Sequence, residues 1–285
     1  MQRPSTASDF TSSFGLLLKQ WRGYRGYSQL DLAIAAQVSQ RHISFLESGR
    51  ANPSREMVLH LVTVLEIPLR QQNLILSAAG FAPIHTETDL SAPEMASVRK
   101  ALNFMLRQQE PYPALVLDRY WNLLLTNQAT TRLLSLFIEP RQFQTRFSRE
   151  GKINLMRAIF HPQGLRPFIA NWEAFSGDLL QQLHREALAE GEQEPSHQLL
   201  KELLNNSGDS QCWHPSNQAS QNALLLTLHL KKTDLELQFF STIATLGTPY
   251  DITLQELRIE YLFPADEATE HNWMRLALTD HIFLE

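Results

Sequence analysis

The stretch SQLDLAIAAQVSQRHISFLESGRANPS, residues 28–54, narrows the choice of fold more than any other part of the chain. Ser28 can cap a helix that carries Leu30, Ile34 and Ala35 on an inner face. Val38-Ser39 ends that helix and starts another, which has Ile43 and Leu46 as its buried side and stops at Gly49. Pro53-Ser54 then opens a helix that runs until Pro68. Upstream, Phe14, Leu17, Leu18 and Trp21 follow helical spacing until Gly23 and Gly26 break it. Downstream, LRQQNLILSAAG makes a fifth helix ending at Gly80. Residues 1–80 therefore read as an all-α domain of short helices.

The polar residues of this stretch have a pattern of their own. Val38, Ile43 and Leu46 point inward, which leaves Gln40, Arg41 and Ser44 outward at the start of the second helix of the pair. A helix, a tight turn and a second helix is the helix-turn-helix arrangement, whose second helix puts its N-terminal residues at base edges in the major groove. Glutamine and arginine read adenine and guanine with paired hydrogen bonds. Ser39 lies at the same tip. Gln29 can reach a phosphate or brace a reading residue, and Arg50 and Asn52 in the following loop can bind the DNA backbone. Lys and Arg outnumber Asp and Glu by three over residues 1–80, while acids are in excess by eight over the rest.

These residues, with LLLKQWRGYRG ahead of them, resemble the Cro/C1 family of phage-repressor-like helix-turn-helix domains over about residues 10–79. The resemblance implies a lambda-repressor-like fold of five helices, binding to double-stranded operator DNA, and an ion pair between the first and third helices. Here that pair would be Arg22 with Glu47. Such domains bind as dimers, and one reading helix offers few base contacts, so a homodimer is expected.

FAPIHTETDLSAP, with two prolines, reads as a linker over residues 81–93, and a helix follows at 94–109. ALVLDRYWNLLLTN looks like two strands turning near Asp118–Trp121. Helices then run from about 127 to 205 with breaks at Pro140, Pro162 and Pro195, and a polar loop follows from 206 to 220. Three alternating strands come next, over Leu224–Leu230, Leu235–Ile243 and Leu257–Phe263, with KKTD as a hairpin turn. Residues 94–285 are thus expected to form an α+β domain, and the chain is multidomain.

No G-x-S-x-G, Walker loop or H-E-x-x-H pattern occurs in the sequence, which argues against an enzyme. Cys212-Trp213-His214 lacks the further ligands a metal site needs. The single cysteine precludes an internal disulfide and fits a reducing, cytoplasmic setting. No apolar run is long enough to cross a membrane.

Three further stretches, LILSAAGFAPIHTETDL, EPYPALVLDRYWNLLLTNQAT and INLMRAIFHPQGLRPFIANWEA, resemble the ligand-binding domain of MmyB-type bacterial transcription regulators over about residues 74–264. That resemblance implies a PAS-like sensor: a five-stranded antiparallel sheet with helices over one face and a small lipophilic, fatty-acid-like effector. The sequence carries no cofactor signature, so no other cofactor is expected. A suitable pocket would be mostly apolar with a few orienting polar groups. The strands offer Leu117, Leu124, Leu226, Phe239, Ile259 and Tyr261. The segment at 153–172 offers Met156, Ile159, Phe160, Phe168 and Trp172 beside Asn154, Arg157, His161 and Arg166. An arginine in an apolar cleft could clamp a carboxylate. Alternatively, the aromatics are simple core, and Arg157 and Arg166 pair with Asp118, Glu150 or Glu173. The domain would then serve only dimerisation or protein interaction.

Overall fold

The computed structural model describes residues 7–149, 151–190, 195–206 and 225–279. Cys212, Trp213, His214 and Leu224 lie outside them. The chain divides into two compact units. The first combines Met1–Asp89 with Leu246–Gln255, and the second combines Leu90–Thr245 with Glu256–Glu285.

The first unit opens with helices α1 (Ala7–Tyr24), α2 (Gln29–Ala35), α3 (Gln40–Glu47), α4 (Arg55–Val64) and α5 (Leu69–Ala78). The serines place the helix starts. Ser28 accepts from the Asp31 amide at 3.1 Å while Asp31 accepts from the Ser28 amide at 2.9 Å, a reciprocal cap. Ser39 accepts from His42 N at 3.1 Å and Ser54 from Met57 N at 3.2 Å. Phe14, Leu18, Leu32, Ile43, Leu46, Val58 and Leu61 are buried in a common core. The inner face of α2 differs from expectation. Leu32, Ala33 and Ala36 are buried, whereas Leu30 and Ile34 are 51% and 68% exposed and Ala35 is also exposed. With α2 starting at Gln29, the 3.6-residue period can put only one of these two sets on the core.

Gly15 is required where α1 crosses α3. A Cβ there would stand 2.6 Å from the Glu47 carbonyl oxygen and 2.7 Å from that of Leu46. Any side chain would separate the two helices.

Leu246–Gln255 is anchored within this first unit. The Asp251 carboxylate accepts from Thr86 Oγ1 at 2.7 Å, Thr88 Oγ1 at 2.8 Å, Thr88 N at 3.1 Å and Thr253 N at 2.9 Å. Ile252 N donates to Thr86 O, and Leu69 N to Gln255 Oε1, both at 2.8 Å. Burial would raise the Asp251 pKa, but the threonine hydroxyls and amides outweigh it and hold the carboxyl below its ordinary value. The stability it contributes is therefore complete above the unfolded-state value of about 3.9, and fades as pH falls through the lower folded value. Asp251→Asn, which replaces acceptor lone pairs with N–H donors, should cost about 1–3 kcal/mol locally. Hydrogen exchange at the Ile252 amide should accelerate about tenfold or more.

The second unit carries α6 (Ala96–Gln108), β1 (Ala114–Leu117), β2 (Asn122–Thr126), α7 (Gln128–Phe137), α8 (Pro140–Phe147), β3 (Ser148–Arg149), β4 (Lys152–Asn154), α9 (Leu155–Phe160), α10 (Trp172–Glu190), α11 (Pro195–Asn206), β5 (Thr227–Lys232) and β6 (Leu235–Ala244). After the short helix α12 (Ile252–Glu256) come β7 (Arg258–Pro264) and α13 (Glu267–Thr279). The sheet is antiparallel in the order β3-β4-β2-β1-β7-β6-β5. Among the described residues it therefore has seven strands rather than the expected five. The additions are β3 and β4, a hairpin of two and three residues inside the region read as helical. Strands so short carry no alternation to detect. Pro140 and Pro195 begin α8 and α11, where a missing N–H costs nothing. The turn at Thr233-Asp234 joins β5 to β6, with Thr233 at a φ of 49°.

Pairing fixes which side of each strand meets the helices. Leu115 faces Glu260, Leu117 faces Arg258, Ile243 faces Glu260 and Ser241 faces Leu262. One sheet face thus carries Leu115, Leu117, Phe239, Ser241, Ile243, Glu260 and Leu262. Ala114, Val116, Ile259 and Tyr261 occupy the other face, where Val116 and Ile259 are fully buried. The first face packs with residues of α7, α9, α10, α11 and α13 in a large core that includes Leu133, Ile159, Leu179, Leu200 and Trp273.

Candidate functional site

Two sites follow from these units. The first is the N-terminal turn of α3. Ile43 and Leu46 are wholly buried, which locks the rotation of the helix. Gln40 and Arg41 are exposed at its tip, with Ser44 half-buried one turn later. Arg50 and Asn52 are exposed in the loop after Gly49, whose φ of 70° turns the chain. The guanidinium carbons of Arg41 and Arg50 stand 5.0 and 5.9 Å from the centre of the Phe45 ring. That ring supports both cations and limits their freedom. The Ser39 hydroxyl is occupied in capping α3.

Gln29 belongs to the scaffold. Its amide donates to Glu47 Oε2 at 2.8 Å, and Glu47 receives Arg22 Nε at 2.5 Å and Nη2 at 3.1 Å. Arg22 also donates to Tyr27 O at 2.8 Å. This network ties α1, α2 and α3 together, so Gln29 braces α3 rather than reaching outward.

The second site is a cavity of about 130 Å³ within the second unit. Its wall includes Leu115, Trp121, Leu133, Leu155, Phe175 and Phe239. The polar side chains bordering it are Thr130, Gln182, Ser241 and Glu260. Ser241 is exposed and Ile243 is 51% exposed, so the cavity opens at their end. An apolar cavity of roughly 150 Å³ suffices for a benzene-sized ring.

Of the pocket residues expected from sequence, Leu226, Phe239 and Ile159 border this cavity. The others are placed elsewhere, each for a definite reason. Tyr261 lies on the opposite sheet face, as does Ile259. Leu117 is buried beside the bordering residues, and an irregularity in the β1–β2 ladder presents Leu123 rather than Leu124. Asn154 caps α9, accepting from Arg157 N at 3.2 Å and donating to Tyr120 O at 2.7 Å. Arg157 is paired with Glu202, Nη2 to Oε2 at 3.0 Å and Nε to Oε1 at 3.1 Å, rather than with Asp118 or Glu173, and Glu150 lies outside the described residues. The Arg166 guanidinium lies over Trp172, 5.1 Å from its ring centre. Phe160 packs on Trp172 at 5.0 Å, Phe168 on Phe137 at 5.3 Å and His161 on Phe147 at 5.4 Å. Met156 is fully buried. Met156 and Phe160 belong to the buried core of the unit, and Phe168 and Trp172 pack against it.

Sequence reasoning missed Glu260 and Ser241, and also Leu133, Phe175 and Leu179. Phe175 and Leu179 share one helix face by their four-residue spacing, which was a usable signal. Nothing local marks Glu260, because only strand pairing turns it inward.

No helix among the described residues is long and apolar enough to cross a membrane. Residues 13–73 match the family model of a helix-turn-helix domain, and residues 98–276 match that of the MmyB-like transcription regulator ligand binding domain. A search of curated proteins returns no match. Among solved structures, the restriction-modification controller protein C.AhdI from Aeromonas hydrophila is 31% identical, covering 22% of this chain and 94% of its own, with a TM-score of 0.21. An RNA-binding light-oxygen-voltage receptor is 13% identical, covering 100% of this chain and 70% of its own, with a TM-score of 0.27. Superpositions this loose carry no argument. The family models do: with a DNA-binding helix-turn-helix domain ahead of a ligand-binding domain that takes up more than half its length, the chain belongs to the MmyB-like transcription regulators.

Proposed function

We propose that this regulator binds a specific operator through Gln40, Arg41 and Ser44 of α3, with Arg50 and Asn52 on the DNA backbone. Its operator affinity is set by a small lipophilic effector with an alkyl or acyl chain of the fatty-acid kind. The second unit acts as a PAS-like sensor, and the protein works in the bacterial cytoplasm as a homodimer, since two reading helices double the few base contacts one can make. The observation that carries this reading is the open, leucine- and phenylalanine-lined cavity inside the domain matched to a ligand-binding family. A filled core would have favoured a module for dimerisation alone.

The route from effector to DNA has a covalent element. Strands β6 and β7 both border the cavity, and the segment joining them, Leu246–Gln255, is part of the first unit. An effector can shift operator affinity only by its difference in affinity for the two states, typically 5- to 150-fold. In a gel-shift titration on an operator selected from random DNA, medium-chain compounds should change wild-type affinity by about fivefold or more. Leu155→Trp, which fills the cavity from α9, should keep unliganded operator affinity and abolish that response. A wild type indifferent to every chain compound tried would favour the interaction-module reading.

A further inference from the structure

Glu260 places a carboxyl group on a wall otherwise built mainly from leucine, isoleucine, phenylalanine and tryptophan. It is partly buried and stands opposite Ile243 in the β6–β7 ladder, on the same sheet face as Ser241. Ser241 and Ile243 lie at the exposed end, so Glu260 is where the polar head of an entering chain would come to rest.

The rest of the wall offers no counter-charge to an anion. Among the described residues, no lysine, arginine or histidine borders the cavity. The Thr130 hydroxyl is engaged with Ala114 O at 2.8 Å and Asn127 Oδ1 at 2.9 Å, and Gln182 Nε2 with Glu186 Oε1 at 3.2 Å. Arg258 projects from the same face of β7 without bordering the cavity. Its Nη2 pairs with Glu186 Oε1 at 2.8 Å and its guanidinium lies 5.1 Å from the Trp121 ring centre, while its Nη1 has no hydrogen-bond partner.

A carboxylate head would leave water for an apolar wall and meet a second carboxyl there, a costly transfer without a paired cation. An ammonium head would exchange water for a carboxylate and a hydroxyl acceptor, which makes a charge-assisted hydrogen bond. We propose, on the reading that this cavity is the effector site, that the effector is a lipophilic amine. Its tail lies on the leucine–phenylalanine wall, its ammonium group donates to Glu260, and Ser241 accepts a second hydrogen bond. The Glu260 carboxyl fits this role before ligand arrives. Burial raises its pKa, opposed by the neighbouring Ser241 hydroxyl and the Arg258 charge, and an arriving cation would draw it to the ionised form.

Octylamine, octanol and octanoate isolate the head group from the tail. Titrated calorimetrically at neutral pH into the full chain, octylamine should bind at least about tenfold more tightly than octanol, with octanoate the weakest. Glu260→Gln should reduce octylamine to the octanol level while octanol affinity stays within about threefold, which shows the cavity intact. Octanoate binding as tightly as octylamine, or an amine preference that survives Glu260→Gln, would overturn the head-group assignment and leave the cavity reading standing. Failure of all three compounds to bind the wild type would overturn the cavity reading itself.

Discussion

Replacing Gln40 and Arg41 together with alanine is expected to lower operator affinity at least about a hundredfold, while the thermal unfolding profile stays that of the wild type. Both side chains are exposed at the tip of α3, so their removal leaves the buried Ile43 and Leu46 seat untouched. Each bidentate base contact contributes about 1–3 kcal/mol of discrimination, and two such losses per reading helix bring specific binding close to the non-specific level. The loss should be sequence-dependent. Affinity for unrelated duplex should fall much less, because phosphate contacts from Arg50 and the loop remain.

Arg50→Ala supplies the contrast. A phosphate contact carries no sequence information, so its removal should weaken specific and random DNA alike and reduce the slope of log affinity against log salt by about one. Arg41→Lys is a sharper probe of Arg41 alone. Lysine keeps the charge but loses the planar fork and much of the stacking over Phe45, 5.0 Å away. If the alanine double variant retained full discrimination between selected and random duplex, α3 would not be the reading element.

The first unit was legible because its determinants are local. Ser28, Ser39 and Ser54 each cap the helix they precede, and a cap needs only residues within one turn. The inner face of α2 was not legible. Leu30 and Ile34 have helical spacing but face out, because the phase is set by which residues α1 and α3 leave room for. The sequence left Gln29 between a phosphate contact and a bracing role for a related reason: its partner Glu47 stands on another helix, 18 positions away.

The same distinction holds in the second unit. Alternation in β7 is plain in the sequence, but alternation alone does not say which set faces the helices. The apolar set Ile259 and Tyr261 was the natural choice for the cavity side, and pairing of Leu115 with Glu260 and Ile243 with Glu260 puts the other set there. A one-residue change of phase exchanges every side chain between faces. That exchange converts a wall expected to be apolar into one carrying a carboxyl. The arginines at 157 and 166 looked like anion clamps because their neighbours in sequence are aromatic. The partner of Arg157 is Glu202, 45 positions away on α11, which no local pattern could pair with it.

Glu47→Ala is expected to destabilise the first unit by about 3–5 kcal/mol, the range for breaking one side of a buried ion pair. The Glu47 side chain is only 4% exposed and Arg22 14%, so both are removed from solvent. Deleting the carboxylate strands two Arg22 hydrogen bonds and that of Gln29, leaving a guanidinium and an amide without their acceptor. Against a total of about 5–15 kcal/mol for a natural domain, a loss of this size approaches complete unfolding at physiological temperature. The cost comes from the unpaired charge and not from the pair's own strength. Arg22→Met combined with Glu47→Leu should therefore recover most of the stability lost by Glu47→Ala. Urea denaturation of the full chain, followed at a probe in α1–α5, separates the possibilities. A stable Glu47→Ala protein that has lost only DNA affinity would make Glu47 part of the reading surface, whereas early unfolding rescued by the apolar pair fits a carboxylate whose work is to hold α1, α2 and α3 in register.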